Sequence, residues 1–426
     1  MKIAIIGTGI SGLTCGYYLH QKHDVTVYEA NDYIGGHTAT VDVEVNDKHY
    51  AVDTGFIVYN DKTYPNFIQL MRDIGVTGKP TEMSFSVSNH GQNLEYNGHT
   101  IRTLFAQKRN WVNPRFYHFV YEILRFNQLA KAHTERGESD QSTLGDFLVQ
   151  NDFSQYFCDN YILPMGAAIW SSTLADMRAF PLHFFTRFFL NHGLLDIKDR
   201  PQWRVIEGGS RSYIEPLVRG FRDSIRLNAP VQRVWRDNVG AHVESNGKIE
   251  YFDEVIFACH SDQALDMLKD PSDEEQSVLE KLEYQDNQVI LHTDTALLPK
   301  RRSAWAAWNY RLLGVEGERH RKPTLTYNMN ILQHIESETT FCVSLNSRDQ
   351  IAADQIVREF CYQHPVFSTQ TMKAQKRRNQ INGVRSTWYC GAYWYNGFHE
   401  DGVRSALDIV KMIDDKAETL NQKGAA

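Results

Sequence analysis

An apolar strand that breaks into glycines and resumes as a helix leaves a chain few folds to choose from. Here Lys2-Ile3-Ala4-Ile5-Ile6 runs into Gly7-Thr8-Gly9-Ile10-Ser11-Gly12, and the stretch from Leu13 to His20 suits a helix with Cys15, Gly16 and Leu19 facing a sheet. Asp24 then leads into a second strand, Val25-Thr26-Val27-Tyr28, which ends on Glu29. Strand, glycine turn, helix and strand in that order make a βαβ unit with parallel strands. A helix starting at such a turn offers unpaired N–H groups and the positive end of its dipole. Gly7 permits the tight turn, Gly9 lets the backbone approach a pyrophosphate, and Gly12 brings helix and sheet close, with Ile10 and Ser11 completing the loop. Glu29 stands twenty residues beyond Gly9, where a carboxylate accepts both hydroxyls of a ribose and repels a 2′-phosphate. The unit predicts a dinucleotide site, open at this point to FAD or NAD.

Beyond it, residues 38 to 59 read as a hairpin with strands at Val41 to Val45 and Tyr50 to Val58, and 62 to 76 as a helix ending at Gly75. Short strands, among them Met83 to Ser88, fill 80 to 100, and an aromatic, mainly helical stretch fills 101 to 200. Strand character returns at Trp203 to Ile206, Ile225 to Leu227, Val231 to Trp235, Ala241 to Glu244 and Glu254 to Ala258. A helix and further strands are expected between 273 and 346, a helix over 350 to 363, a strand from Thr387 to Cys390, and a helix from Gly402 to about Ala417.

Four separated blocks carry a resemblance. Glu29-Ala30 is followed by Gly35-Gly36-His37 and then by Val52-Asp53-Thr54-Gly55-Phe56-Ile57-Val58-Tyr59-Asn60. Trp203 to Gly209 and Pro230 to Val234 form the second and third blocks; Trp388 to Tyr393 with Glu400-Asp401-Gly402-Val403 forms the last. Together they resemble the flavin-containing amine oxidase superfamily, the group of phytoene desaturases and protoporphyrinogen oxidases. The Val52 to Asn60 run is most similar to NAD/FAD-binding oxidoreductases associated with cyclopropane-fatty-acid synthase. The resemblance implies non-covalent FAD, touched by Gly7, Gly9, Ile10, Ser11, Gly12, Glu29, Ala30, Gly35, Gly36, His37, Asp53, Thr54, Gly55, Phe56, Val231, Gly391, Asp401, Gly402 and Val403. It further implies backbone donors at Gly402 and Val403, at the start of the last helix, facing the flavin. Two positions depart from the family: His37 stands where Arg is usual, and Ala392 replaces the acidic residue after Gly391.

The fold class that follows is α/β: a discontinuous Rossmann-like FAD-binding domain from 1–79, 203–265 and 381–420, plus an α+β substrate-binding domain, with mixed sheet and helices, from 80–202 and 266–380. Residues 421–426 read as a frayed tail. Aromatic residues crowd the second domain, as ligand cavities and cores both require. Tyr327, Trp308 and Tyr395 are the expected substrate contacts. His399, just before the last helix, is the candidate proton acceptor, on the strength of the ordinary imidazole pKa of about 6.5.

Arg102, Lys108, Arg109 and Arg115 interleave with Leu104, Phe105, Trp111 and Phe116. That pattern suits either a helix pair packed on the core or contact with a membrane surface. With 45 Lys+Arg against 52 Asp+Glu and a net charge of −7, the chain offers no broad cationic face for nucleic acid. The apolar fraction of 42% excludes disorder, and no run is long enough to span a membrane. The six cysteines lack Cys-x-x-Cys or metal spacing, so no metal is expected. Free thiols and a first strand at Lys2, with no room for a signal peptide, imply a cytoplasmic protein, peripheral at most to a membrane. The functional expectation is an FAD-dependent oxidoreductase moving hydride from a substrate C–H to flavin N5, a desaturase or dehydrogenase of a hydrophobic, fatty-acyl substrate. The alternatives are a flavin-dependent double-bond isomerase, an oxidase of a small amine, or a non-enzymatic dinucleotide-binding partner of a lipid methyltransferase.

Overall fold

The computed structural model describes residues 1–136, 142–196, 200–315 and 317–424. A five-stranded parallel sheet runs in the order Ile225–Arg226, Asp24–Tyr28, Lys2–Ile6, Glu254–Phe257, Thr387–Tyr389. Its central strands are continuous apolar runs because both faces are covered, as parallel sheets require. One face packs against the helix Ile10–Leu19, with Phe221 and the closing helix His399–Gly424. The other carries a three-stranded antiparallel sheet, Val231–Arg236, Ala241–Ser245 and Lys248–Phe252.

A seven-stranded sheet orders Ile356–Pro365, Tyr284–His292, Cys342–Leu345, Thr324–Asn328, Trp308–Leu312, Phe85–Asn89 and Leu94–Asn97. The long helix Pro114–Glu135 and the helices between Leu144 and Asn191 share with it the largest core, dominated by Phe116, Phe119, Phe126, Phe157, Phe185 and Phe189. A separate small sheet joins Val58–Asn60, Trp203–Ile206 and Gly78–Thr81.

Three elements differ from the sequence reading. The helix expected over 350 to 363 is the edge strand Ile356–Pro365, paired antiparallel with Tyr284–His292. Phe360, Tyr362 and His364 alternate with Cys361 and Gln363, a period-two pattern that belongs to a strand. The hairpin's second strand, Lys48–Asp53, ends before Gly55, where a Cβ would lie 2.1 Å from the His37 carbonyl oxygen. Residues 58 to 60 therefore leave the hairpin and pair with Trp203–Ile206 in the small sheet. The last helix begins at His399 and reaches Gly424, into the segment read as frayed, of which 425–426 lie outside the described residues.

One buried ion network ties the three-stranded sheet to the edge strand of the parallel sheet. The Arg236 guanidinium, with its side chain 0% exposed, grips Glu275 at 2.7 and 3.0 Å and approaches Asp270 at 3.1 Å. Tyr389 of the outermost strand donates to Glu275 at 2.6 Å. Arg236 holds the Glu275 carboxyl below its usual pKa range against the opposing effect of burial. Removing one member leaves a buried charge without a partner. Glu275→Ala should cost about 3–5 kcal/mol, read from denaturant unfolding; a loss under about 1 kcal/mol would mean that water reaches Arg236.

Candidate functional site

The glycine turn and the closing helix meet. A Cβ on Gly12 would sit 2.0 Å from the Gly7 carbonyl oxygen, and one on Gly402 would sit 2.7 Å from Ile10 Cγ2. Ser11 Oγ donates to the Gly402 carbonyl at 3.0 Å. Only glycines let these backbones approach so closely. Gly36 lies against Gly9, and the Gly35 N–H reaches Thr8 Oγ1 at 3.3 Å. A Cβ on Gly9, by contrast, would find nothing within 4 Å.

The helix Ile10–Leu19 has no side-chain cap and no acid in its first turn. Its intrahelical bonds begin with the Leu13 N–H on the Gly9 carbonyl, leaving the Ile10, Ser11 and Gly12 N–H groups as free donors beside that open space. An uncapped helix end fits a pyrophosphate. The closing helix brings a second N-terminus, with Glu400 and Asp401 in its first turn, but not at the residues expected. The Gly402 N–H is already bonded to the Phe398 carbonyl. Because the helix starts a turn earlier, the donors without an intrahelical partner are those of His399, Glu400 and Asp401.

The carboxylates of this region are tied to the protein. Glu29 is buried; its Oε2 accepts from Thr8 N–H and Oγ1, its Oε1 from Asn31 N–H and Nδ2 at 2.9 and 2.8 Å. Backbone bonds from Ala229 to Glu29 and from Asn228 to Asn31 bring the strand of Val231 to the same corner, with Ala30 exposed between them. Asp53, 0% exposed, accepts from Thr40 Oγ1 at 2.6 Å, Ser210 N–H at 2.8 Å and Gln333 Nε2 at 2.9 Å. It clamps three loops together, and burial raises its carboxyl to about 6. Glu400 accepts from the N–H groups of Asn66 and Phe67, capping the helix Pro65–Asp73 from 333 residues away. Asp401 accepts the Phe398 N–H at 2.9 Å, and burial lifts its carboxyl to about 7.

His399 lies flat on Phe56, with ring centres 3.7 Å apart and planes 6° apart, and edge-on to Phe67. Its Nε2 bonds the Tyr213 hydroxyl at 2.7 Å, and Tyr213 bonds Thr38. Burial, then the nearby His37, push its pKa to about 3. The ordinary basicity on which its role as proton acceptor was expected is therefore absent: this imidazole is neutral and fixed in orientation.

His37 lies 6.1 Å from His260 and 5.9 Å from His364, ring to ring, with Tyr362 at 5.1 Å. Burial and the two neighbouring rings lower His37 to about 3; burial lowers His364 to about 4. His37 Nε2 and His260 Nδ1 are buried without a partner. Tyr362 also reaches Thr54 Oγ1 at 3.2 Å. His364 and Tyr362 escaped the sequence reading because they lie on the strand taken for a helix. Tyr213 carried no signal beyond its place after Gly208-Gly209.

Trp308 and Tyr327 face each other across neighbouring strands, edge to face at 5.1 Å, and the Trp308 indole N–H is buried without a partner. Tyr395 is not with them. It packs against a different core cluster, its hydroxyl given to Asp408 at 2.5 Å and its ring under Arg404. Cys390 is buried against Cys15, sulfur to sulfur 3.8 Å, and Gly391 donates its N–H to Ser405 Oγ. Val403 is core. Among the described residues no cluster of His, Cys, Asp or Glu could hold a metal ion.

The rings next to Phe398 form one apolar run. Phe398 stacks on Phe188 at 5.0 Å, Phe188 meets Trp170 at 4.8 Å, and Trp170 meets Phe180 and Phe184. Phe184 stacks on Phe367.

The sequence profile of the flavin containing amine oxidoreductase family matches residues 10–388. Among solved structures, the chain is similar to a conjugated-linoleic-acid-producing fatty acid isomerase from P. acnes, with a TM-score of 0.69 and 17% identity over 96% of this chain and 98% of that one. Similar too are a putrescine oxidase bound to putrescine, at 0.67 and 14% over 97% and 99%, and the cyclohexylamine oxidase of Brevibacterium oxydans, at 0.65 and 14% over 98% and 99%. At such identities the likeness is one of fold. A 15-cis-phytoene desaturase of Synechococcus elongatus is 35% identical over 77 residues, 18% of this chain and 15% of the desaturase.

The buried imidazoles make stability fall in acid. His37, His399, His192, His292 and His364 have pKa values of about 3 to 4 in the folded chain. Unfolded, each titrates near 6.5 and binds protons first, so their contribution is lost as pH falls below about 6.5. Asp53 and Asp401, raised to about 6 and about 7, work the other way and gain as pH falls. The imidazoles outnumber them. The melting temperature of cofactor-free protein should therefore drop between pH of about 6.5 and about 4.5; a flat or rising profile would contradict this balance.

Proposed function

The chain belongs to the flavin-containing amine oxidoreductases, and from that premise we propose that it is an FAD-dependent enzyme acting on C–H bonds of an apolar, acyl-type substrate. The observation that carries the substrate class is the ring run from Trp170 through Phe188 to Phe398, one residue before His399. An amine is a cation at neutral pH and is held best beside a free carboxylate. Here Glu400 and Asp401 are spent on backbone N–H groups. The kinship read from Val52 to Asn60 and the fold shared with an acyl isomerase favour the same reading.

In this proposal residues 1–79, 203–265 and 381–420 form a discontinuous dinucleotide domain that holds FAD without a covalent bond. The free N–H groups at Ile10 to Gly12 take the diphosphate, and those at His399 to Asp401 face the anionic edge of the ring. Glu29 takes the ribose once Asn31 turns its amide away. Bound FAD supplies the hydride acceptor. Phe56 and Tyr213 hold the His399 ring in one orientation, and Phe188, Phe398 and Trp170 exclude water and align an acyl chain beside it.

A second reading, double-bond isomerisation, is favoured by the likeness to the fatty acid isomerase across 96% of the chain. One experiment addresses both. Anaerobic mixing of the FAD-loaded protein with unsaturated and saturated fatty acids should bleach the flavin absorption if there is net oxidation. Turnover only after prior reduction of the flavin would instead assign isomerisation. Bleaching by polyamines alone would overturn the acyl reading. A protein that stays colourless after incubation with FAD would overturn both.

A further inference from the structure

The surface built by residues 99 to 134 is unlike the rest of this molecule. In a chain of net charge −7 the segment carries Arg102, Lys108, Arg109, Arg115, Arg125 and Lys131 against one acid, Glu122. That acid is buried, its carboxylate accepting the Ser154 N–H at 2.6 Å and Ser154 Oγ at 2.5 Å. Among the described residues, only Lys131 of the six cations forms an ion pair, with Asp196. Arg302, on the turn beside the helix Ile101–Leu104, adds to the basic surface, while its neighbour Arg301 is paired with Glu95 at 2.8 Å.

On that surface large apolar side chains point outward. Val112 is 83% exposed, Ile101 72% and Trp111 51%. Tyr117, Tyr121 and Leu124 are exposed along one face of the helix Pro114–Glu135, whose opposite face buries Phe116, Phe119 and Phe126 in the core. Phe105 stacks on Trp111 at 4.2 Å, and the Tyr117 hydroxyl donates to the Trp111 carbonyl at 3.0 Å. The protruding Trp111 is thus fixed in place. A contiguous exposed apolar patch marks an interaction site. Amphipathic aromatics beside exposed cations such as Arg102 and Lys108, which form no ion pair among the described residues, match the interface of an anionic bilayer, where the rings sit at headgroup depth and Lys and Arg meet lipid phosphates. No helix among the described residues is long and apolar enough to cross a membrane, so attachment would be to one face.

We propose that this face docks the protein on an anionic lipid surface through Ile101, Trp111 and Val112, with Arg102 and Lys108 as charge anchors. The inference stands on the surface alone and does not depend on the substrate reading. The test is co-sedimentation of the full-length, FAD-loaded protein with phosphatidylglycerol/phosphatidylcholine vesicles and with pure phosphatidylcholine vesicles. Mixed vesicles should bind at least about ten-fold more tightly, and added salt should weaken that binding. Trp111→Ser with Val112→Asp should reduce binding about ten-fold or more, and Arg102→Glu with Lys108→Glu roughly 25-fold, at about five-fold per cation. All four side chains are exposed, so unchanged melting temperatures would separate lost docking from lost folding. Equal sedimentation with and without anionic lipid would overturn the proposal, as would wild-type binding by both double variants. So would a vesicle-independent dimer in light scattering that the same substitutions abolish, which would assign the face to a second copy.

Discussion

The first and last helices of this chain touch because Gly402 has no side chain where they cross, so that Ile10 and Ser11 lie directly against it. Gly402 against Ile10 and Ser11, and Gly12 against the Gly7 carbonyl, let two helix N-termini converge on one space beside Gly9. Converging positive dipole ends would repel each other if nothing negative lay between them. The loop at Gly35-Gly36 lies against Gly9, and the hairpin that ends at Asp53 is tied to the segment after Gly208-Gly209.

Carboxylates act here as fasteners more than as reactants. Glu29, Asp53, Glu400 and Asp401 are each bound to N–H or O–H groups, of distant segments for Asp53 and Glu400 and of near neighbours for Asp401. A buried acid satisfied in this way fixes geometry at the expense of its own reactivity. The neutral imidazoles follow the same logic: His399 and His37 are too deeply placed to take a proton near neutral pH, so their part is one of shape and orientation.

Much of the cofactor half was legible in the residue order, because parallel strands buried on both faces are continuous apolar runs and tight approaches demand glycine. Lys2 to Glu29, Glu254 to Ala258 and Thr387 to Cys390 all follow those rules. The strand Ile356–Pro365 was missed because its alternation is interrupted by charge on an exposed edge, although Phe360, Tyr362 and His364 carry the period. The start of the last helix was misplaced because its cap is a reversed one, Asp401 reaching back to the Phe398 N–H. The tie from Asp53 to Gln333, 280 residues apart, has no local signature at all. Nor does the cluster of His37, His260 and His364, which exists only once three remote segments are packed together.

The parallel sheet has a consequence for how the molecule is made. Its central strand, Lys2–Ile6, is synthesised long before its neighbour Glu254–Phe257, and the edge beyond that waits for Thr387–Tyr389. For most of translation the nascent chain therefore carries an apolar strand with an unpaired side, a hazard for aggregation. Pairing across so large a separation also makes folding slow. Synthesis of this protein should lean on chaperones until the strand Thr387–Tyr389 has emerged.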